Sequence, residues 1–122
     1  HSNGAEQIAV AARDVGMEVV YEGIRLTPAQ IAHSARDEGV HVVGLSILSG
    51  SHGVLVVDVL EQLRASGCAD VPVVVGGIIP EDDARKLRSA GVRRVYTPKD
   101  FDLTRIMGEI VDVVAEARAV AA

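Results

Sequence analysis

Aromatic residues are almost missing from this chain: it has no tryptophan, two tyrosines and one phenylalanine in 122 residues. Its core must therefore be aliphatic, since hydrophobic residues make up 48% of the sequence and aromatics only 2%. Val, Ile, Leu and Ala in that proportion suit helices packed on a parallel sheet whose strands are buried on both faces. A single cysteine, Cys68, rules out an internal disulfide and fits a reducing cytoplasm. No apolar run approaches the roughly 20 residues of a membrane span. With a net charge of −5 the chain also lacks the basic face that a nucleic-acid partner would want. What these absences leave is one cytoplasmic domain, long enough for a single core without staples.

Helical and strand patterns alternate along the chain. Ala5 to Val15 sets Ile8, Ala11, Ala12 and Val15 on one helical stripe, closed by Gly16. Val19-Val20-Tyr21 reads as a short strand. Thr27-Pro28-Ala29-Gln30 reads as a helix start, with Thr27 as N-cap, Pro28 at the first helical position and Gln30 reaching back. That helix stops at Gly39. Val40 to Ile47 is a buried strand, broken by the Ser49-Gly50-Ser51 loop, and Val54 to Ala65 is an apolar helix ending at Gly67. Val71 to Val75 is the next strand, closed by Gly76-Gly77. Pro80 to Ala90 makes a helix with an acidic start and Gly91 just past its end. Val92 to Thr97 is the last strand. Leu103, Ile106, Met107, Ile110, Val113, Val114 and Ala117 then trace one face of a long final helix.

Four strands between five helices predict an α/β fold, a flavodoxin-like (Rossmann-type) doubly wound parallel sheet. In the flavodoxin-like strand order 2-1-3-4-5 the first strand lies inside the sheet. No strand pattern precedes the first helix. The expectation is therefore a single domain over residues 1–122 whose first strand is missing, leaving Val19-Val20-Tyr21 without its neighbour.

Open parallel sheets bind ligands beyond the carboxyl ends of their strands, and the chemistry-bearing runs sit there. His1-Ser2-Asn3-Gly4 offers an imidazole, either a transition-metal ligand or a loose terminal side chain. Ser46-Ile47-Leu48 brings a hydroxyl to a strand end, in itself an ordinary place for serine. Gly76-Gly77 offers a backbone that a ligand can approach closely, or a simple turn. Tyr96-Thr97-Pro98 takes the remaining side of the same crevice, with Tyr96 either walling a pocket or standing as a core ring with a wet hydroxyl. Other candidates carry less. His33, His41 and His52 lack zinc-site spacing, and Gly50-Ser51-His52-Gly53 lacks the lysine of a phosphate loop. Cys68 has no activating base in view. Glu81-Asp82-Asp83 reads as a helix start rather than a metal site.

In order and spacing, His1-Ser2-Asn3-Gly4, Ser46-Ile47-Leu48 and Gly76-Gly77 resemble the HxxG…SxL…GG pattern of the cobalamin-binding domain found in cobalamin-dependent mutases and methyltransferases. The resemblance covers essentially the whole chain, including Thr27-Pro28, His52 and Gly76-Gly77-Ile78-Ile79-Pro80. It implies adenosylcobalamin as cofactor. His1 would replace the cofactor's own dimethylbenzimidazole as lower axial cobalt ligand, a base-off/His-on mode. In the family's DxHxxG motif an Asp holds that His; its position would lie two residues before His1. The resemblance further implies that Gly4 lets the chain turn into the first helix beside the corrin. By the same token the Ser46 hydroxyl bonds the displaced benzimidazole, and Leu48 packs near the nucleotide tail. Gly76 and Gly77 let that tail approach, and Tyr96 and Thr97 line the far side. No residue is expected to be catalytic in its own right.

Methyltransferase modules usually carry Lys-Asn after the HxxG glycine, where this chain has Ala5-Glu6. Ser2-Asn3-Gly4-Ala5 looks like the acyl-CoA mutases instead. Gly44 to His52 and Tyr96 to Phe101 look most like the ethylmalonyl-CoA mutases, close relatives of the methylmalonyl-CoA mutases. The resemblance thus implies the cofactor-binding part of a radical carbon-skeleton isomerase, inactive in isolation. Its strand-end face would dock onto an acyl-CoA-binding barrel domain or subunit, within a dimeric or larger assembly. The readings kept beside this are a cobalamin-sensing or regulatory module and a methyltransferase cobalamin module.

Overall fold

The computed structural model describes residues 2–20, 26–47 and 53–121. Its elements are α1 (Ser2–Asp14), α2 (Pro28–Glu38), β1 (Val43–Ile47), α3 (Gly53–Ala65), β2 (Val73–Gly77), α4 (Glu81–Ala90), β3 (Arg94–Tyr96) and α5 (Leu103–Ala121). The strands form one parallel sheet in the order β1-β2-β3. That order matches the 3-4-5 side of the flavodoxin-like sheet, and the α/β class is as the alternation predicts.

Alternation along β2 sorts the core into two layers. Val73 and Val75 join Ala32 and Ala35 of α2, Val56, Val59 and Leu63 of α3, and Ala84 and Leu87 of α4. Val74, between them, points the other way, to Ala12 of α1, Ile106, Met107 and Ile110 of α5, and Tyr96. Helices therefore cover both faces, and β2 in the middle is buried on both, which is why it reads as an unbroken valine run. Most of the predicted stripe of the last helix is buried: Ile106, Met107, Ile110, Val113 and Ala117 are in the core, whereas Val114 is half-buried and Leu103 exposed. Val15, by contrast, lies past the end of α1 and is exposed.

The start of α2 is set locally. The Gln30 N–H donates to Thr27 Oγ1 at 3.1 Å, and the Thr27 N–H donates to Gln30 Oε1 at 2.8 Å. Two orphan helix donors are thereby satisfied by one reciprocal pair. Thr27→Ala should lower unfolding stability by about 1 kcal/mol, read by denaturant titration, with no change in the sheet.

Three expectations need correction. Among the described residues the sheet has three strands, not four. Val19 and Val20 form no ladder there because no neighbouring strand meets them, and Val19 instead packs against the α1/α5 layer; Tyr21 lies outside the described residues. Strands also begin later than their β-branched residues suggest. The Val40 N–H closes onto the Ala35 carbonyl at 3.1 Å, and the Val92 N–H onto Leu87 at 3.0 Å. Both residues thus finish a helix, after left-handed Gly39 and positive-φ Gly91, instead of starting a strand. Finally, Gly4 sits inside α1 and not at a turn. It is exposed, with nothing among the described residues within 4 Å of where a Cβ would be, and its helical backbone makes no demand for glycine. Among the described residues no helix is long and apolar enough to cross a membrane.

Candidate functional site

Strand register brings three of the predicted residues into one row. Ser46 of β1 pairs with Gly76 of β2, and Gly76 with Tyr96 of β3. Paired residues in a parallel sheet project to the same side, here the Val74 side that α1 and α5 cover. The cover is partial: Val74 and Tyr96 are buried, whereas Gly44 and Ser46 are exposed. The middle of the row has no side chain. Among the described residues, a Cβ on Gly76 would meet nothing closer than the Tyr96 carbonyl oxygen at 3.8 Å, and one on Gly44 would meet Val74 Cγ2 at 3.9 Å. The result is a trough floored by glycine, with the Ser46 hydroxyl on one bank and Tyr96 about 10 Å away on the other, two strand spacings apart.

Gly77 has a different job. Its φ is +154°, and a Cβ there would collide with the carbonyl oxygen of Ile47, the residue it pairs with on β1. The backbone requires glycine at Gly77, whereas at Gly76 an added Cβ would make only an ordinary contact.

Tyr96 is a core ring, and its hydroxyl is not free. Tyr96 Oη donates to Glu109 Oε1 at 2.9 Å. Burial first, then the hydrogen bond to the Glu109 carboxylate, push the phenol well above its ordinary range. Below it, the Thr97 N–H donates to Asp100 Oδ2 at 2.8 Å, which closes a tight turn through Pro98 and Lys99. That backbone bond, with Arg105 beside it, holds the Asp100 carboxyl below the usual range. Arg105 bridges the two acids, from Nη2 to Asp100 Oδ1 at 2.6 Å and from Nη1 to Glu109 Oε2 at 3.0 Å.

The loops after the strands add an apolar rim. Val54 and Leu55 open α3, Ile78 follows β2, and Phe101 precedes α5; Ile78 is 71% exposed and Phe101, the only phenylalanine, 87%. His1 and Leu48 lie outside the described residues. A cavity of about 230 Å³ lined by Leu60, Leu63, Cys68, Pro72 and Arg93 lies at the amino ends of β2 and β3, away from the trough. Parallel sheets present ligands at the other end, so the trough is the better candidate. Among the described residues no group of three or more His, Cys, Asp or Glu is placed to hold a metal ion.

A family model described as the B12 binding domain matches residues 1–100. This chain belongs to that family. As a B12-binding domain it takes a cobalamin, and the trough fits one: a strand end with no Cβ over Gly76 and an exposed hydroxyl beside it admits a flat heterocyclic tail against the backbone. The chain is 64% identical to the ethylmalonyl-CoA mutase of Cereibacter sphaeroides over 114 residues, covering 93% of this chain and 17% of that protein. It is 56% identical to the ethylmalonyl-CoA mutase of Methylorubrum extorquens over 117 residues, covering 96% of this chain and 17% of that protein. With the 2-hydroxyisobutanoyl-CoA mutase small subunit of Aquincola tertiaricarbonis it shares 38% identity over 95 residues, covering 78% of this chain and 70% of that subunit. The B12-binding domain therefore spans about a sixth of the length of the ethylmalonyl-CoA mutases it matches.

Sequence reasoning placed Ser46, Gly76, Gly77, Tyr96 and Thr97 at one end of the sheet, and the structure brings them together. It missed Asp100, Arg105 and Glu109. Arg105 and Glu109 stand four apart on a helix, which signals an ion pair, but nothing local connects that pair to Tyr96.

Proposed function

We propose that this chain is the adenosylcobalamin-binding part of an acyl-CoA mutase of the ethylmalonyl-CoA or methylmalonyl-CoA type. The observation that carries the reading is the Ser46–Gly76–Tyr96 row, a side-chain gap held open at the ligand-binding end of a B12-binding sheet. Relatives named as mutases at 64% and 56% identity support the acyl-CoA class. Ser46 supplies a hydroxyl to the nucleotide tail, Gly76 and Gly77 let it lie against the backbone, and the Tyr96–Thr97 turn closes the far bank. Leu48 packs near the tail, and Gly4 stands on the helix beside the corrin. His1 is the lower cobalt ligand in place of the cofactor's own base. When bound, the cofactor supplies a cobalt–carbon bond whose homolysis starts the radical rearrangement; the protein binds, orients and tunes it.

The acyl-CoA is held by a barrel, in the same chain or as a separate subunit, and relatives named as small subunits accord with the second arrangement. The apolar rim of Val54, Leu55, Ile78 and Phe101 suits the interior of such a cytoplasmic, dimeric or larger assembly. Titration with adenosylcobalamin, followed by absorption, tests the reading. The wild-type chain should displace the benzimidazole from cobalt on binding, and His1→Ala should bind with the benzimidazole still attached. Identical spectra for the two proteins would remove His1 from the cobalt, and no binding by either would remove the cofactor assignment.

A further inference from the structure

We propose that Arg105, through Asp100 and Glu109, is a positioning residue for the Tyr96–Thr97 bank of the trough; the inference rests on the cobalamin-tail reading above. Five groups form a closed circuit. The Tyr96 hydroxyl donates to one oxygen of Glu109 and the Thr97 N–H to one oxygen of Asp100. Arg105 takes the other oxygen of each carboxylate with its two terminal nitrogens, and the Tyr96–Thr97 peptide bond completes the ring. The arginine is itself anchored at the start of α5, where its N–H donates to the capping Asp102 side chain at 3.1 Å. The end of β3 is thus tied at two adjacent residues to a single guanidinium on the first turn of α5.

Magnitudes decide what such a circuit does. Arg105 is 45% exposed and its partners Asp100 and Glu109 are 26% and 31% exposed. Ion pairs that wet add little to stability. Their geometry is another matter, because a planar fork can hold two carboxylates at fixed spacing and an ammonium cannot. Removing Arg105 leaves the Tyr96–Glu109 and Thr97–Asp100 bonds in place but frees each acid to swing. The consequence falls on the placement of the bank, more than on the fold.

A pair of ligands reads this directly: adenosylcobalamin and adenosylcobinamide, which lacks the nucleotide tail. Dissociation constants for both are measured on the wild-type chain and on Arg105→Ala and Arg105→Lys, with thermal unfolding alongside. Arg105→Ala should bind adenosylcobalamin about tenfold more weakly and the tail-less corrinoid unchanged, and Arg105→Lys should recover only part of the loss. An Arg105→Ala protein that keeps the wild-type preference for the tailed cofactor overturns the proposal. So does an equal loss for both ligands, which would mark a merely structural role. If Arg105→Ala fails to fold, Arg105→Lys and Glu109→Gln are judged by the same ratio. A wild-type chain with no preference for the tailed cofactor would instead overturn the tail-binding reading itself, a result that needs no variant.

Discussion

Gly77→Ala is expected to destabilise the domain by about 3 kcal/mol or more, in the rare class reserved for backbone conflict. For a chain of this size that is a fall of roughly 10–20 °C in the unfolding midpoint. Two costs add at this position. A φ of +154° is a conformation that L side chains rarely adopt, and the added Cβ would drive into the Ile47 carbonyl oxygen. The obstacle is backbone, so no rotamer change relieves it; β1 and β2 must separate where Ile47 pairs with Gly77. That pair is the last rung of the ladder, directly after Ser46–Gly76, so the damage reaches the trough. Thermal unfolding by circular dichroism measures the loss. A midpoint within 3–4 °C of wild type, less than about 1 kcal/mol, would show that the turn after β2 can be rebuilt without glycine.

Much of the fold could be read because its determinants are local. The Thr27–Gln30 capping box and the acidic first turn of α4 each depend on neighbours within a few residues, and each stands where the sequence put it; the strand expected over Val71 to Val75 is shifted by two residues, to Val73–Gly77, with both glycines inside it. The failures share a cause. Val40 and Val92 look like strand residues, yet their N–H groups are taken by helix-closing bonds five residues back, which no β-propensity scale registers. Val19 and Val20 have strand composition but no ladder among the described residues, and a strand without a partner is not a strand. At the site, the sequence flagged Tyr96 and left its role open between pocket wall and core ring. The partner of its hydroxyl, Glu109, lies 13 residues away, and only packing reveals it. The two glycines were noticed together, and neither φ nor the Ile47 carbonyl can be seen in a sequence, so their different duties could not.

That difference gives the sharpest test of function. Gly76→Val should leave the fold intact and lower adenosylcobalamin affinity by a hundredfold or more, about 2.7 kcal/mol. Gly76 has no positive φ, and among the described residues the only heavy atom near its Cβ position is the Tyr96 carbonyl oxygen at an ordinary 3.8 Å. On a central strand, valine replaces a residue that weakens strands with one that favours them. The unfolding midpoint should therefore hold or rise. What valine takes away is the floor of the trough, because its two methyl groups stand in the row between Ser46 and Tyr96, where a ligand must lie against bare backbone. Stability and binding then move in opposite directions, which general damage to the domain cannot produce. Calorimetric titration beside thermal unfolding separates the two quantities. A Gly76→Val protein that binds adenosylcobalamin as tightly as wild type would mean that the cofactor's tail lies elsewhere, and the Ser46–Gly76–Tyr96 row would lose its place as the binding site.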